Sequence, residues 1–144
     1  MKILVTGCAG FIGFHTTMEL LKHNHHVIGL DSLNRYYDPK LKKNRLKFIK
    51  SFVKEKKKKF KFIRCDISNN NNINKIFKKY KFKTIVHLAA QAGIRYSMID
   101  PNAYFKSNLI GFSNLIELSK KFKVKQFIYA SSSSVYGKSK KITF

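Results

Sequence analysis

Short, continuous apolar runs alternate along the chain with longer stretches in which apolar residues recur every three or four positions. Residues 2 to 6 are mostly apolar and end at a glycine, and residues 26 to 30 form a second run that ends at Asp31. Runs of this kind predict strands buried on both faces, as in a parallel sheet. Between them Phe11, Ile12, His15, Met18, Leu20 and Leu21 fall at helical spacing with no intervening proline, which predicts a helix. Further strands are predicted at Phe60 to Arg64, Thr84 to Ala89 and Gln126 to Ala130. Helices are predicted over about 40 to 55, about 72 to 80 and about 102 to 121, the last opening after Pro101 at a position that suits a first turn. Strands alternating with helices imply a parallel sheet covered on both faces, because right-handed crossovers lay a helix over the sheet at each return. The predicted fold class is therefore α/β, a doubly wound parallel sheet. Lys56 to Lys59 are expected to end a solvated helix, and Asn69 to Asn72 to form a surface turn.

Composition narrows this picture. With 144 residues and 44% hydrophobic content the chain can bury one core and is too short for two domains of ordinary size. Met1 to Gly7 holds an apolar run of three residues, too short for a secretory leader or a membrane span, which predicts a cytoplasmic protein. Cys8 and Cys65 have no ligand spacing to each other or to the histidines, so neither a disulfide framework nor a metal site is expected, and His87 reads as a core residue of its strand. The net charge of +23 points at first to a polyanionic partner. Yet only Arg35, Arg45, Arg64 and Arg95 of the 30 basic residues are arginine, whose planar fork suits phosphate and base edges. Lysine and asparagine, both with AT-rich codons, dominate instead. The expectation is no nucleic-acid partner.

The candidate chemistry lies in Gly7-Cys8-Ala9-Gly10-Phe11-Ile12-Gly13, which follows a predicted strand and opens a predicted helix. Gly7 permits a tight bend, Gly10 lets backbone approach a pyrophosphate and Gly13 lets the helix pack closely, with the helix amides facing the phosphates. Asp31 follows 18 residues after Gly13, at the end of the second strand. This context is the one required of a dinucleotide-binding fingerprint. Asp31 would accept hydrogen bonds from ribose hydroxyls and repel a 2′-phosphate, favouring NAD over NADP, or it caps the turn that follows. Arg35 is close enough in sequence to leave that preference open. Arg95 either contacts an anion at the carboxyl end of the fourth strand or starts a helix facing solvent.

The two-residue spacing of the glycines resembles the extended short-chain dehydrogenases/reductases of the NAD-dependent epimerase/dehydratase family, and the likeness is strongest to UDP-glucuronate 4-epimerases. Leu33-Asn34-Arg35-Tyr36-Tyr37-Asp38, Gln91-Ala92-Gly93-Ile94-Arg95-Tyr96-Ser97 and Tyr129 to Gly137 carry it. The resemblance implies a Rossmann-like domain with NAD held by Gly7, Gly10, Phe11, Ile12 and Gly13, by Asp31, Ser32 and Asn34, and by Asp66 and Ile67 around the adenine. Leu88, Ala89 and Ala90 would pass under the cofactor, and Asn108 would stabilise the centre of the sheet. Ser132 would share the proton of the sugar's 4-hydroxyl, with Ser133, Ser134 and Arg95 touching substrate. The implied reaction is transient oxidation at carbon 4 of a UDP-sugar, for surface polysaccharide synthesis, in an enzyme that is usually homodimeric. The resemblance also implies a catalytic Tyr-x-x-x-Lys about two dozen residues beyond the serine segment. Tyr36 with Lys40 and Tyr136 with Lys140 have that spacing here, and both pairs lie in the wrong segment. The expectation is thus an incomplete domain over residues 1–144, ending after the fifth strand and lacking the later strands and the carboxyl-terminal sugar-binding domain, and inactive alone. A non-catalytic NAD-binding module, a UDP-glucose 4-epimerase and a sugar-nucleotide 4,6-dehydratase are the alternatives.

Overall fold

Alternate residues of one central strand feed two separate cores. Ile3 and Val5 of β1 (Lys2–Thr6) pack with Val27 of β2 (His26–Asp31), with Met18 and Leu21 of α1 (Phe11–Lys22), and with Leu46 and Ile49 of α2 (Pro39–Glu55). Leu4 points to the opposite face. There it joins Ile28, Leu30, Ile73 and Phe77 of α3 (Asn70–Tyr80), and Ile85 of β4 (Thr84–His87). This alternation is the pleat of a strand buried on both faces.

The computed structural model describes residues 1–137. Among them β3 (Phe60–Arg64) and β5 (Gln126–Tyr129) complete a five-stranded sheet in the order β3-β2-β1-β4-β5, and every pairing is parallel. Ile3 stands opposite both Val27 and Thr84, so the sheet is in register across its centre. The fold is a Rossmann-like doubly wound α/β sheet.

Four local expectations are corrected. Phe11 and Ile12 are 68% and 62% exposed, because the buried stripe of α1 runs through Gly13, Thr17, Met18 and Leu21 and leaves them off it. The asparagine run is a helix start and not a surface turn. Asn69 accepts the N–H of Asn72 at 3.1 Å, which satisfies a donor that the first turn of α3 leaves unpaired. β4 stops at His87, two residues early, because Ala89 N–H turns to the Thr6 hydroxyl instead of a strand. The helix expected over about 102 to 121 is three pieces: α5 (Pro101–Tyr104), a π-helical turn (Phe105–Gly111) and α6 (Phe112–Lys121). A short α4 (Ile94–Ser97) precedes them. The wide turn brings Asn108 to the backbone of Gln91 and lets Gly111 lie against Ile67, where a Cβ would collide with the isoleucine side chain.

Candidate functional site

The strand order reverses between β1 and β4, and in such sheets the crevice beyond the carboxyl ends of the strands is where ligands bind. A cavity of about 700 Å³ opens there. Gly7 and Gly10, then Asp31, Ser32 and Asn34, then Asp66 and Ile67, then Leu88, Ala89 and Ala90 line it, each group at the exit of a different strand. Residues widely separated in the chain thus meet in one wall. Phe11 and Ile12 stand exposed beside it, and Gly13 lies beneath the turn. Arg95 is exposed in α4 and Ser132 is exposed after β5, neither on the cavity wall. The side chains of Ser133 and Ser134 and the whole of Lys140 lie outside the described residues.

The turn itself is built by close approach. Gly7 has φ +70°, and a Cβ on it would stand 2.8 Å from the Ala89 nitrogen, so a side chain would push β1 and β4 apart where they border the cavity. A Cβ on Gly13 would fall on the Gly7 carbonyl oxygen. α1 therefore begins directly against the strand end. Its N-cap, Gly10, supplies no side-chain acceptor, and no acidic residue lies in the first turn. The positive end of the helix is left open to an anion, which fits a pyrophosphate.

Asp31 is 8% exposed, and its carboxylate joins two loops. One oxygen accepts the Ala9 N–H at 3.1 Å and the other the Leu33 N–H at 2.9 Å. The capping alternative is realised at Leu33, and the remaining lone pairs are the acceptors available to a ribose. Arg35 is exposed and off the wall, so it is not the cation beside Asp31. Lys42 and Arg64 are on the wall instead. Lys42 is 5% exposed and donates to the backbone oxygen of Asn34 at 3.1 Å and to its Oδ1 at 2.6 Å, with the Tyr37 ring 4.5 Å away. Burial lowers its pKa, and Arg45 lowers it further, while Asp31 opposes the shift. Arg45 donates to the Ala9 oxygen and to the Tyr37 hydroxyl, both at 3.1 Å, and so braces the glycine turn from outside.

Side chains from several elements hold the exit of β4. Asn108 pairs with the backbone of Gln91 like a second peptide, accepting its N–H at 2.8 Å and donating to its oxygen at 2.9 Å. The single proton of the Tyr104 hydroxyl is shared between the carbonyls of Ala92 and Gly93, and the rings of Tyr36 and Tyr96 meet at 4.8 Å beside Gly93. Thr6 receives the N–H groups of Leu88 and Ala89 on its hydroxyl and meets His87 Nδ1 at 2.7 Å. Burial pushes the His87 pKa down to about 4. Burial likewise raises the thiol of Cys8, with Asp31 adding to the rise, so that cysteine is an inert part of the core.

Sequence reasoning gave no role to Lys42, Arg64 or Thr6. Lys42 left a signal, since it sits four residues before Leu46 and seven before Ile49 on the buried stripe of α2. Arg64 and Thr6 left none beyond their places at strand ends. Among the described residues no three His, Cys, Asp or Glu cluster closely enough to hold a metal ion, and no helix is long and apolar enough to cross a membrane.

Comparison with known proteins agrees with this geometry. The sequence profile of the NAD dependent epimerase/dehydratase family matches residues 3–144. "Protein CapI" of Staphylococcus aureus is 47% identical over 137 residues, 95% of this chain and 39% of the relative. Among solved structures, a UDP-glucuronic acid 4-epimerase from Bacillus cereus, in complex with UDP-4-deoxy-4-fluoro-glucuronic acid and NAD, superposes with a TM-score of 0.83. It is 35% identical, over 100% of this chain and 44% of that one. The UDP-Glc/GlcNAc 4-epimerase of Campylobacter jejuni gives a TM-score of 0.84 at 32% identity, over 97% of this chain and 40% of that one. The chain spans about two fifths of the length of these relatives.

Proposed function

The chain belongs to the NAD-dependent epimerase/dehydratase family, and from that premise we propose that residues 1–144 form an incomplete NAD-binding domain, the front part of a nucleotide-sugar 4-epimerase of the UDP-glucuronate to UDP-galacturonate type. The observation that carries the reading is the convergence of the Gly7 turn, the open end of α1 and Asp31 on one cavity at the point where the strand order reverses. NAD, when bound, supplies an acceptor for the hydride of the sugar's carbon 4.

The chain's own residues bind and orient. Gly7, Gly10 and the amides of Phe11, Ile12 and Gly13 receive the pyrophosphate, while Asp31, with Ser32 and Asn34 beside it, accepts from the adenosine ribose. Asp66 and Ile67 flank the adenine, and Leu88, Ala89 and Ala90 provide a floor of small side chains held from behind by Asn108. Ser132 shares the proton of the sugar's 4-hydroxyl, and Arg95, Ser133 and Ser134 serve the substrate side. Likeness to the Bacillus cereus UDP-glucuronic acid 4-epimerase supports the glucuronate substrate. The likeness to the Campylobacter jejuni enzyme favours the second reading, a UDP-glucose or UDP-N-acetylglucosamine 4-epimerase. Pairing with a second copy and a cytoplasmic location complete the proposal, the latter supported by two buried free thiols, Cys8 and Cys65.

Calorimetric titration of the folded chain with NAD and with NADP tests the cofactor. NAD is expected to bind and NADP to bind more weakly, and a folded sample that takes up neither overturns the reading. Translation of the gene beyond codon 144 tests the reaction. A Tyr-x-x-x-Lys about two dozen residues further on supports an epimerase, and unrelated sequence there refutes one.

A further inference from the structure

Behind the floor of the cavity sits a hydroxyl with too many partners to be passive. Thr6 is fully buried, and its oxygen accepts the N–H groups of Leu88 and Ala89, each at 3.2 Å. A hydroxyl offers two acceptor positions and one proton, so the Thr6 proton has to go to a third group. His87 Nδ1, at 2.7 Å, is that group. It can accept only if it carries no hydrogen, which sets the neutral ring with its proton on Nε2. The surroundings keep the ring neutral: Phe112 and Phe127 pack on it, and burial holds its pKa near 4.

The amides at stake are those of the cavity floor. Leu88 and Ala89 line the wall, and the Ala89 nitrogen is the atom that a Cβ on Gly7 would strike. If the hydroxyl proton lost its acceptor, Thr6 would have to spend it within the same cluster, and the Ala89 amide would lose its partner, whereas the Leu88 N–H would keep the Thr6 carbonyl oxygen, also at 3.2 Å. The cost of an unpaired buried donor would then fall on the floor itself.

We propose that His87 is a positioning residue, which by accepting the Thr6 hydroxyl proton commits both Thr6 lone pairs to the amides of Leu88 and Ala89 and so sets the floor on which the dinucleotide rests. This rests on the NAD reading above. A histidine that merely filled the core would be replaceable by any apolar side chain of similar size. A positioning histidine is replaceable only by a residue with an acceptor where Nδ1 stands. Asparagine has one at its Oδ1, leucine has none, and glutamine carries its oxygen further out, near the place of Nε2.

The test uses the full 144-residue chain as wild type, His87→Asn and His87→Leu. Long-range proton–nitrogen NMR reads the ring tautomer, amide exchange reads Leu88 and Ala89, and calorimetry reads NAD affinity. The expected results are a proton on Nε2, faster exchange at the Ala89 amide in His87→Leu, and NAD binding about tenfold weaker in that variant. His87→Asn should stay within about threefold of wild type, on a free-energy scale less than half of the tenfold loss. A proton on Nδ1, or a folded His87→Leu with unchanged exchange at Ala89, overturns the proposal. So does unchanged NAD affinity in that variant. If the folded wild type binds no NAD, the cofactor reading fails by itself, and the tautomer and exchange data still decide the role of His87. Should His87→Leu not fold, His87→Asn against His87→Gln makes the same comparison.

Discussion

Burial of an ionisable ring turns its protonation into a folding event. His87 falls from its ordinary 6.5 to about 4 in the folded chain, by desolvation. His26 is lowered too, first by desolvation and then by Lys2, Lys59 and the amino terminus. A depressed histidine binds its proton more readily unfolded than folded, so the stability it permits is complete above pH 6.5. That stability is lost as pH falls from there towards 4. For His87 the full loss is about 3 kcal/mol. Urea titrations between pH 7 and pH 4 should show wild type losing more stability than His87→Asn, whose side chain does not titrate, and parallel losses would contradict the assignment. The apolar context of His87 was legible in the sequence, since Thr84 to Ala89 reads as a buried strand. Its partner was not, because Thr6 lies 81 residues away and no periodicity reports a contact between neighbouring strands.

At the scale of elements, the segment 101 to 121 shows what helical periodicity leaves out. Apolar spacing predicted one helix, and the chain does stay helical from Pro101 to Lys121. The π-helical turn within it is imposed by tertiary contacts, Gly111 against Ile67 and Asn108 against Gln91. Replacing Asn108 by alanine strands the Gln91 N–H and carbonyl together. The expected loss is about 1–3 kcal/mol in urea unfolding, with weakened NAD binding, because Gln91 continues the floor formed by Leu88 to Ala90. Unchanged stability would mean that the wide turn stands without this pairing. The asparagine run gives the converse case. Its composition suggested a turn, but a side-chain oxygen that breaks a helix in its middle completes one at its start.

Across the whole molecule, charge and core pull in opposite directions. Thirty basic residues face seven acidic ones, and the ion pairs of Glu19 with Lys22 and of Glu55 with Lys56 are exposed and weak. The self-repulsion of a +23 chain is screened by salt, whose reach shortens from about 30 Å at 0.01 M to about 8 Å at 0.15 M. The melting temperature should therefore rise over that range of sodium chloride, and a flat or falling response would show that repulsion does not limit stability.

Alternation of strands and helices, the glycine turn and Asp31 were determined by the sequence alone, because each depends on residues a few positions apart or on a repeat of two or of three to four. Only the tertiary structure decided which side chains share the cavity wall. It brought in Lys42 and Arg64 beside Asp31 and left Arg35 outside. It also joined Thr6 to His87, and Arg45 to Ala9 across 36 residues. A hydrophobic pattern reports that a face is buried, whereas the partner it meets depends on strand order and loop paths that close only when the whole sheet forms.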